Sequence, residues 1–274
     1  MKIRKITDTR PKILLIQGSP RSVDSCSNQE SKSSKLVSLI MDKWLPFVNF
    51  EVIDLSQDGK PKIQPCKGCI STSGGMHCHW KCSCFSKNMK DPDLMYEYDI
   101  YDKFEQCDGF LVVTPIHWYS VTSQVKAMFD RLVCSNQTLT KDQAIEIFGK
   151  GNIKNSGLTS KAELSEKYKS LLKNHLEGKI ASFFAYGDNG GNDYDNNPPY
   201  KGDKDWDIKN SIMPLVHQCR YSGMICPDDL VKAIYSAQDK SYSESNFVLS
   251  NDLVEGLNFL VEKIINKYAT LKKI

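Results

Sequence analysis

Short apolar runs bounded by turn-forming residues alternate with longer amphipathic stretches along the chain. Apolar runs of about four to eight residues are typical of buried strands. Four runs are strand candidates and a shorter one is a candidate for a fifth: residues 12–17 (KILLIQ), 50–55 (FEVIDL), 110–114 (FLVVT), 179–185 (KIASFFA) and 223–226. Runs without a polar face predict strands that are covered on both sides.

The stretches between these runs have apolar residues at helical spacing, as at Leu36, Val37, Ile40 and Trp44. The predicted helices cover residues 33–44, 91–106, 121–132, 208–221 and 251–268. Strands that alternate with helices predict an α/β fold, a doubly wound five-stranded parallel sheet with helices on both faces. We expect residues 1–274 to form a single domain. It would have a cysteine-rich loop at 64–90 and an insertion at 135–177, with one amphipathic helix near 161–174.

Three loops of this predicted fold are the places where a ligand would bind. Right-handed crossovers put every strand-to-helix loop at one edge of the sheet, and ligands bind there at the point where strand order reverses. The loops follow Gln17, Val113 and Ala185. The third covers residues 186–207 and is rich in Gly, Asn and Asp, and loops of this length are usually functional or disordered.

The charge balance is close to neutral. The 274 residues include 36 Lys and Arg against 33 Asp and Glu, for a formal net charge of +3. This balance supports neither a nucleic acid nor a membrane surface as a partner. No apolar run approaches the roughly 18 residues that span a bilayer, and the N-terminus lacks the apolar core of a secretory signal. We therefore expect a cytoplasmic protein.

The loop after the first strand reads GSPRS and has the chemistry of a phosphate site. A helix N-terminus offers unpaired backbone N–H groups, and Ser19 and Arg21 add a hydroxyl donor and a charge. The chain lacks both G-x-x-x-x-G-K-[ST] and G-x-G-x-x-G, which argues against an NTPase and against the usual dinucleotide fold. The alternative is that Ser31 only caps the helix, while Ser19 and Pro20 only form a turn.

The segment after the third strand suits a flat redox ring. Residues 107–131 read CDGFLVVTPIHWYSVTSQVKAMFDR, a strand followed by a short aromatic loop and a helix. A redox ring needs backbone donors at its edge and apolar or aromatic groups against its face. Ile116, His117, Trp118 and Tyr119 provide such groups. For His117 the alternative is a partly exposed loop residue with no chemical task.

This segment resembles the NAD(P)H-dependent FMN reductases of the flavodoxin-like fold, which are related to the iron–sulfur flavoproteins. Members of the family read P-x-x-W-x-S, then Q-x-K, then D-R at this place, and GSPR matches their phosphate loop. The resemblance spans roughly residues 12–226. It implies that the FMN phosphate is bound by Ser19, Arg21, Ser31 and Ser33. It implies that the ring is lined or approached by Pro115, Ile116, His117, Trp118, Tyr119, Ser120, Tyr186, Gly187, Asp188, Gly190 and Gly191.

The resemblance also implies an activity. The protein would take electrons from NAD(P)H through FMN to a flavin, a quinone or another small acceptor, and it would be a homodimer or homotetramer. Because hydride passes directly between nicotinamide and flavin, no side chain is assigned as catalytic. Two alternatives stay open: an electron carrier that docks a protein partner, and a flavin-binding protein without turnover. The net charge of +3 disfavours the carrier, since such carriers are usually acidic.

Five of the ten cysteines fall within nineteen residues, between positions 66 and 84. Sulfur and nitrogen ligands suit zinc or an iron–sulfur cluster, and this interpretation assigns Cys66, Cys69, Cys78 and Cys82 as ligands. The iron–sulfur flavoproteins of this fold carry C-x2-C-x2-C here, but Thr72 stands where their third cysteine would be. Two other interpretations stay open: a redox-active dithiol such as Cys66 with Cys69, and reduced cysteines that only pack.

Overall fold

The computed structural model describes residues 9–25, 28–56, 62–68, 80–82, 84–85, 93–136, 174–187, 207–235 and 249–273. Its sheet contains the strands β1 (Lys12–Gln17), β2 (Asn49–Asp54), β3 (Gly109–His117), β5 (Ile180–Gly187) and β6 (Val231–Tyr235). These five are parallel, in the order β2-β1-β3-β5-β6, and a short strand β4 (Ser120–Val121) pairs antiparallel with the end of β3. Strand order reverses between β1 and β3, which places the predicted ligand edge at the carboxyl ends of these two strands.

Helices cover both faces of the sheet. Successive side chains of a strand point to opposite faces, so Ile13 and Leu15 pack on one side while Leu14 and Ile16 pack on the other. The first face is covered by α1 (Lys32–Trp44) and α6 (Asn251–Lys272). The second is covered by α2 (Leu94–Glu97), α3 (Ile100–Gln106), α4 (Ser123–Leu132) and α5 (Met213–Tyr221). The predicted doubly wound α/β fold is confirmed. None of the helices in the described ranges is both long and apolar enough to cross a membrane.

Aromatic packing fixes the central strand that leads to the ligand edge. The Phe110 ring of β3 makes edge contacts with Phe129 of α4 and Phe183 of β5, with centroids 5.8 and 5.9 Å apart. All three side chains are fully buried. Burial of each contributes roughly 1.5–3 kcal/mol, so β3, β5 and α4 are held in one rigid unit.

The fifth strand lies further along the chain than predicted. Residues 223–226 provide only an isolated bridge, between Ile225 and Ile180, and β6 begins at Val231. The sequence of β6 is VKAIY, and residues 232–234 are half-buried because the strand lies at the edge of the sheet. An edge strand needs no continuous apolar run, which is the pattern from which the other four were predicted.

The helix predicted at 91–106 is two helices, α2 and α3. Asp99 between them has φ 48° and ψ 40°, a left-handed conformation that cannot continue a right-handed helix. The helix predicted at 208–221 begins with a 3-10 turn, Ile208–Ser211, before α5. The helix predicted near 161–174 lies outside the described residues, so the single-domain organisation with its insertion stays a prediction.

Candidate functional site

Three loops meet at the edge of the sheet where strand order reverses. The N–H of Gly18, directly after β1, donates to the carbonyl of Val113 in β3 over 2.8 Å. The hydroxyl of Thr122, which caps α4, donates to the Gly18 carbonyl over 2.7 Å. At the end of β3, Pro115 is in register with Tyr186 of β5. The loops that the sequence predicts to share one edge therefore lie next to one another.

The loop between β1 and α1 presents a hydroxyl and a guanidinium. Ser19 is buried, and its Oγ accepts the N–H of Arg21 over 3.2 Å, so the hydroxyl proton stays available to a ligand oxygen. Within the described part of the chain, no carboxylate forms an ion pair with Arg21. A cation without a counter-ion beside a hydroxyl donor suits an anion such as a phosphate monoester.

The charge of Arg21 reaches both other loops. His117 is exposed at the hairpin, but desolvation by its neighbours lowers its pKa, and the positive charge of Arg21 lowers it further. Burial raises the pKa of the Tyr186 hydroxyl, while the hydrogen bonds with Ser33 and the positive charge of Arg21 lower it by a smaller amount. The guanidinium therefore lies within electrostatic range of the β3 hairpin and of the end of β5, so an anion bound to it would also lie there.

The start of α1 supplies further hydroxyl groups. Ser31 caps the helix, since its Oγ accepts the N–H of Ser34 over 3.1 Å. The Oγ atoms of Ser31 and Ser34 are 2.9 Å apart. These two hydroxyls hold two protons and share one hydrogen bond, so one proton stays available. Ser31 thus has the capping role that the sequence offered as an alternative. Ser33, also predicted to bind phosphate, is buried and hydrogen-bonds to the Tyr186 hydroxyl, with the two oxygens 2.8 Å apart; its contact with phosphate stays a prediction.

An aromatic hairpin tip closes the second loop. β3 continues to His117, which pairs with Ser120 of β4, and the two residues between them form the turn. Trp118 and Tyr119 have φ of 45° and 63°. Positive φ at both central residues is typical of two-residue hairpins, but the usual occupants are Asn and Gly. Bulky side chains here cost roughly 1–3 kcal/mol each. Trp118 is 93% exposed, which excludes a core role and leaves its ring for a ligand.

The third loop begins at the end of β5. Tyr186 is buried in the sheet, and its hydroxyl lies at Ser33 near the start of α1. A Cβ at Gly187 would come within 3.1 Å of Ile116, so the absence of a side chain permits the close approach of β5 to the hairpin strand. Asp188, Gly190 and Gly191, which the resemblance places near the ring, lie outside the described residues.

Only two of the four predicted metal ligands belong to the described residues. Cys82 is buried and Cys66 is half-buried, while Cys69 and Cys78 lie outside the described ranges. The N–H of Gly68 donates to the Cys66 sulfur over 3.4 Å. In the part of the chain that the structure describes, no three His, Cys, Asp or Glu side chains are grouped as metal ligands. The metal interpretation therefore stays a prediction.

A buried ion pair fastens the cysteine-rich segment to α4. Arg131 Nη1 bonds to Asp93 Oδ2, and both side chains are completely buried. The guanidinium also donates to the carbonyls of Gln64, over 3.2 Å, and of Cys84, over 2.8 Å. The Gln64 N–H donates back to Asp93 over 3.2 Å. Burial raises the pKa of Asp93, and the adjacent guanidinium opposes that rise. Sequence reasoning missed this pair, although Arg131 is the arginine of the family's D-R motif.

The same helix therefore serves both the ligand edge and the cysteine-rich segment. Its cap, Thr122, bonds to Gly18 of the phosphate loop. Two residues on, Gln124 Oε1 accepts the N–H of Ile63 over 2.9 Å, and Arg131 binds the segment that follows. Movement of α4 would displace both regions together.

The strand order, the phosphate-type loop and the aromatic hairpin define a protein of the flavodoxin-like class. A family model described as NADPH-dependent FMN reductase matches residues 11–173, more than half of the chain. The chain belongs to this family. A search of curated proteins found no match.

Three solved structures are similar to this chain, and only the first of them has a TM-score above 0.5. RosB with the bound intermediate 8-demethyl-8-formylriboflavin-5'-phosphate is 10% identical, with a TM-score of 0.54, covering 96% of this chain and 81% of that one. General stress protein 14 from Treponema denticola in complex with FMN is 12% identical, with a TM-score of 0.42, covering 94% and 99%. The NADH:FMN oxidoreductase EmoB in its apo form is 15% identical, with a TM-score of 0.42, covering 94% and 89%. At these identities the likeness concerns the fold alone.

Proposed function

We propose that the protein is an FMN-dependent NAD(P)H oxidoreductase. The observation that carries the proposal is Arg21, a cation without an ion pair in the described ranges, next to the free hydroxyl proton of Ser19. This donor set fits a phosphate monoester, at the sheet edge where ligands of this fold class bind. The family match gives the proposal its cofactor, FMN, and its reductant, a nicotinamide nucleotide.

The first two loops would contact different parts of the cofactor. Arg21, Ser19 and the start of α1 bind the phosphate, while the hairpin of β3 lies against the ring. The exposed Trp118 ring offers the flat apolar contact that an isoalloxazine needs. Bound here, FMN would supply the redox chemistry, with hydride taken from the nicotinamide and electrons given to the acceptor. The side chains of this site bind and orient the reactants and take no part as acid or base.

The test is a titration of the apoprotein with FMN, followed by chromatography of the cofactor released from purified protein. Arg21→Ala should weaken FMN binding by about 1.5–3 kcal/mol, the range for a charge-assisted hydrogen bond. Arg10→Ala is the matched control, because Arg10 lies before β1 at the opposite edge of the sheet and bonds to the Leu45 carbonyl. Recovery of FAD alone, or equal affinity of the Arg21→Ala variant, would contradict the proposal.

Turnover is tested by mixing the FMN-loaded protein with NADH or NADPH without oxygen and following the loss of flavin absorption. A flavin, a quinone or another small acceptor should then restore the absorption. The acceptor, the homodimeric or homotetrameric state and the cytoplasmic location stay predictions from the sequence. Elemental analysis for iron and zinc tests the metal interpretation of Cys66, Cys69, Cys78 and Cys82.

A further inference from the structure

Gln17, the last residue of β1, joins three parts of the ligand edge through one side chain. The residue is 2% exposed. Its Nε2 donates to Asp54 Oδ1 over 3.0 Å and to Ser34 Oγ over 3.2 Å. Its Oε1 accepts the backbone N–H of Ser19. The side chain therefore connects the phosphate loop, the start of α1 and the end of β2.

The chemistry of the neighbours fixes which way the Gln17 amide points. The Asp54 carboxylate can only accept hydrogen bonds. Both its oxygens already accept bonds from Ser56, whose N–H and hydroxyl each lie 2.9 Å away. The NH2 group of Gln17 must therefore face Asp54, so the amide oxygen must face the N–H of Ser19. The reverse orientation would place two oxygens together at Asp54 and two donors together at Ser19.

This orientation determines which donors a phosphate would meet. The amide oxygen holds the Ser19 backbone, while the Ser19 hydroxyl accepts from Arg21 N–H and keeps its own proton for a ligand. At the start of α1, the Gln17 amide donates to the Ser34 hydroxyl. Ser31 and Ser34 share one hydrogen bond, so one of their two hydroxyl protons also stays available to a ligand. Gln17 contacts Ser19 and Ser34 but accepts neither hydroxyl proton that would reach the phosphate, so its role is to set the spacing between these two groups.

We propose that Gln17 is a positioning residue of the phosphate site and that Asp54 anchors it. This inference rests on the proposed function. Gln17 then determines affinity for the phosphorylated flavin, FMN, over the unphosphorylated riboflavin. A residue with a merely structural role would change the affinities for both flavins alike.

The decisive variant is Gln17→Glu, which has almost the same shape. When protonated, the introduced carboxyl has one O–H donor for Asp54 and one oxygen acceptor for Ser19, so it reproduces two of the three bonds. When ionised, it faces the Asp54 carboxylate, and this repulsion raises the pKa of the new group above its ordinary value. FMN affinity, expressed relative to the native protein at each pH, should fall about tenfold or more at about pH 8 and recover at about pH 5.

Riboflavin affinity of the same variant should change less than about threefold, the scale of a surface substitution. Gln106→Glu is the control, because Gln106 lies at the end of α3 on the other edge of the sheet, where Lys12 donates to it. Equal loss for FMN and riboflavin, or FMN affinity that matches the native protein at both pH values, would overturn the inference. Failure of the native protein to bind FMN would instead remove the proposed function, and this inference with it.

Discussion

Asp93→Ala should cost about 3–5 kcal/mol of the free energy of unfolding, because it leaves a buried charge without its partner. Both side chains of the pair are fully buried, so water cannot take over the solvation of Arg131. The guanidinium would keep its bonds to the Gln64 and Cys84 carbonyls but lose the only carboxylate that contacts it within the described ranges. Domains of ordinary stability have about 5–15 kcal/mol in total, so the loss would be a large part of it.

The pair of Asp93 and Arg131 is not fully hydrogen-bonded, so a second prediction concerns the removal of both partners. Among the residues that the structure describes, no group hydrogen-bonds to Asp93 Oδ1 or Arg131 Nε, so part of the cost of burying these groups is not offset. Replacing both partners by apolar residues of similar size should therefore cost less than removing Asp93 alone. The double variant Asp93→Leu with Arg131→Met should be more stable than Asp93→Ala.

Urea unfolding of the apoprotein measures these differences. The control lies on the same helix, where Lys126 pairs with Asp130 at i,i+4 with both side chains 40–48% exposed. Asp130→Ala should cost only about 0.3–0.5 kcal/mol. Two results would refute the reasoning: a loss of unfolding free energy below about 1 kcal/mol for Asp93→Ala, or a loss in the double variant equal to the sum of the losses in Asp93→Leu and Arg131→Met alone.

Three further expectations concern the ligand edge. Trp118→Ala should leave apoprotein stability within about 0.5 kcal/mol while weakening FMN binding by about 1–3 kcal/mol; lost stability with intact FMN affinity would show that the hairpin is misinterpreted. Gly18→Ala would put a Cβ 2.7 Å from Val125 and should destabilise the chain by about 1–3 kcal/mol in urea, so an unchanged midpoint would contradict the close packing. The lowered pKa of His117 means that the unfolded chain binds more protons below about pH 6.5, so stability should decrease as pH falls through that region. His117→Gln should remove this part of the decrease. Parallel profiles of unfolding free energy against pH for the two proteins would contradict the role given to His117.

The sequence predicts the fold well where side chains are buried on both faces. The strand predicted at 12–17 has the observed bounds, because KILLIQ is continuous and buried. The edge strand β6 was missed, since half-buried positions tolerate residues such as Lys232. The break at Asp99 was also missed, because helical spacing of apolar residues does not report a single left-handed residue.

The candidate site is predicted less completely, for a different physical reason. Ser19 and Arg21 follow a strand and carry recognisable donors, so their position at the ligand edge could be expected. The bond between Gln17 and Asp54 depends on strand register, which pairs these two residues from strands far apart in the chain. Apolar patterns indicate which segments are strands but not which residues lie opposite one another. The buried bond of Arg131 to Asp93 depends in the same way on packing between helices.

The hydrogen bonds from Arg131 to the Gln64 and Cys84 carbonyls affect how the length of the cysteine-rich stretch can vary. One guanidinium holds a backbone carbonyl near each end of the cysteine-rich stretch, so the ends of that stretch are fixed relative to α4. Adding or removing residues between two fixed ends changes mainly the entropy of closing the loop, by only about 0.6 kcal/mol for each doubling of length. A change of length between these two anchors would therefore leave the geometry of the ligand edge in place.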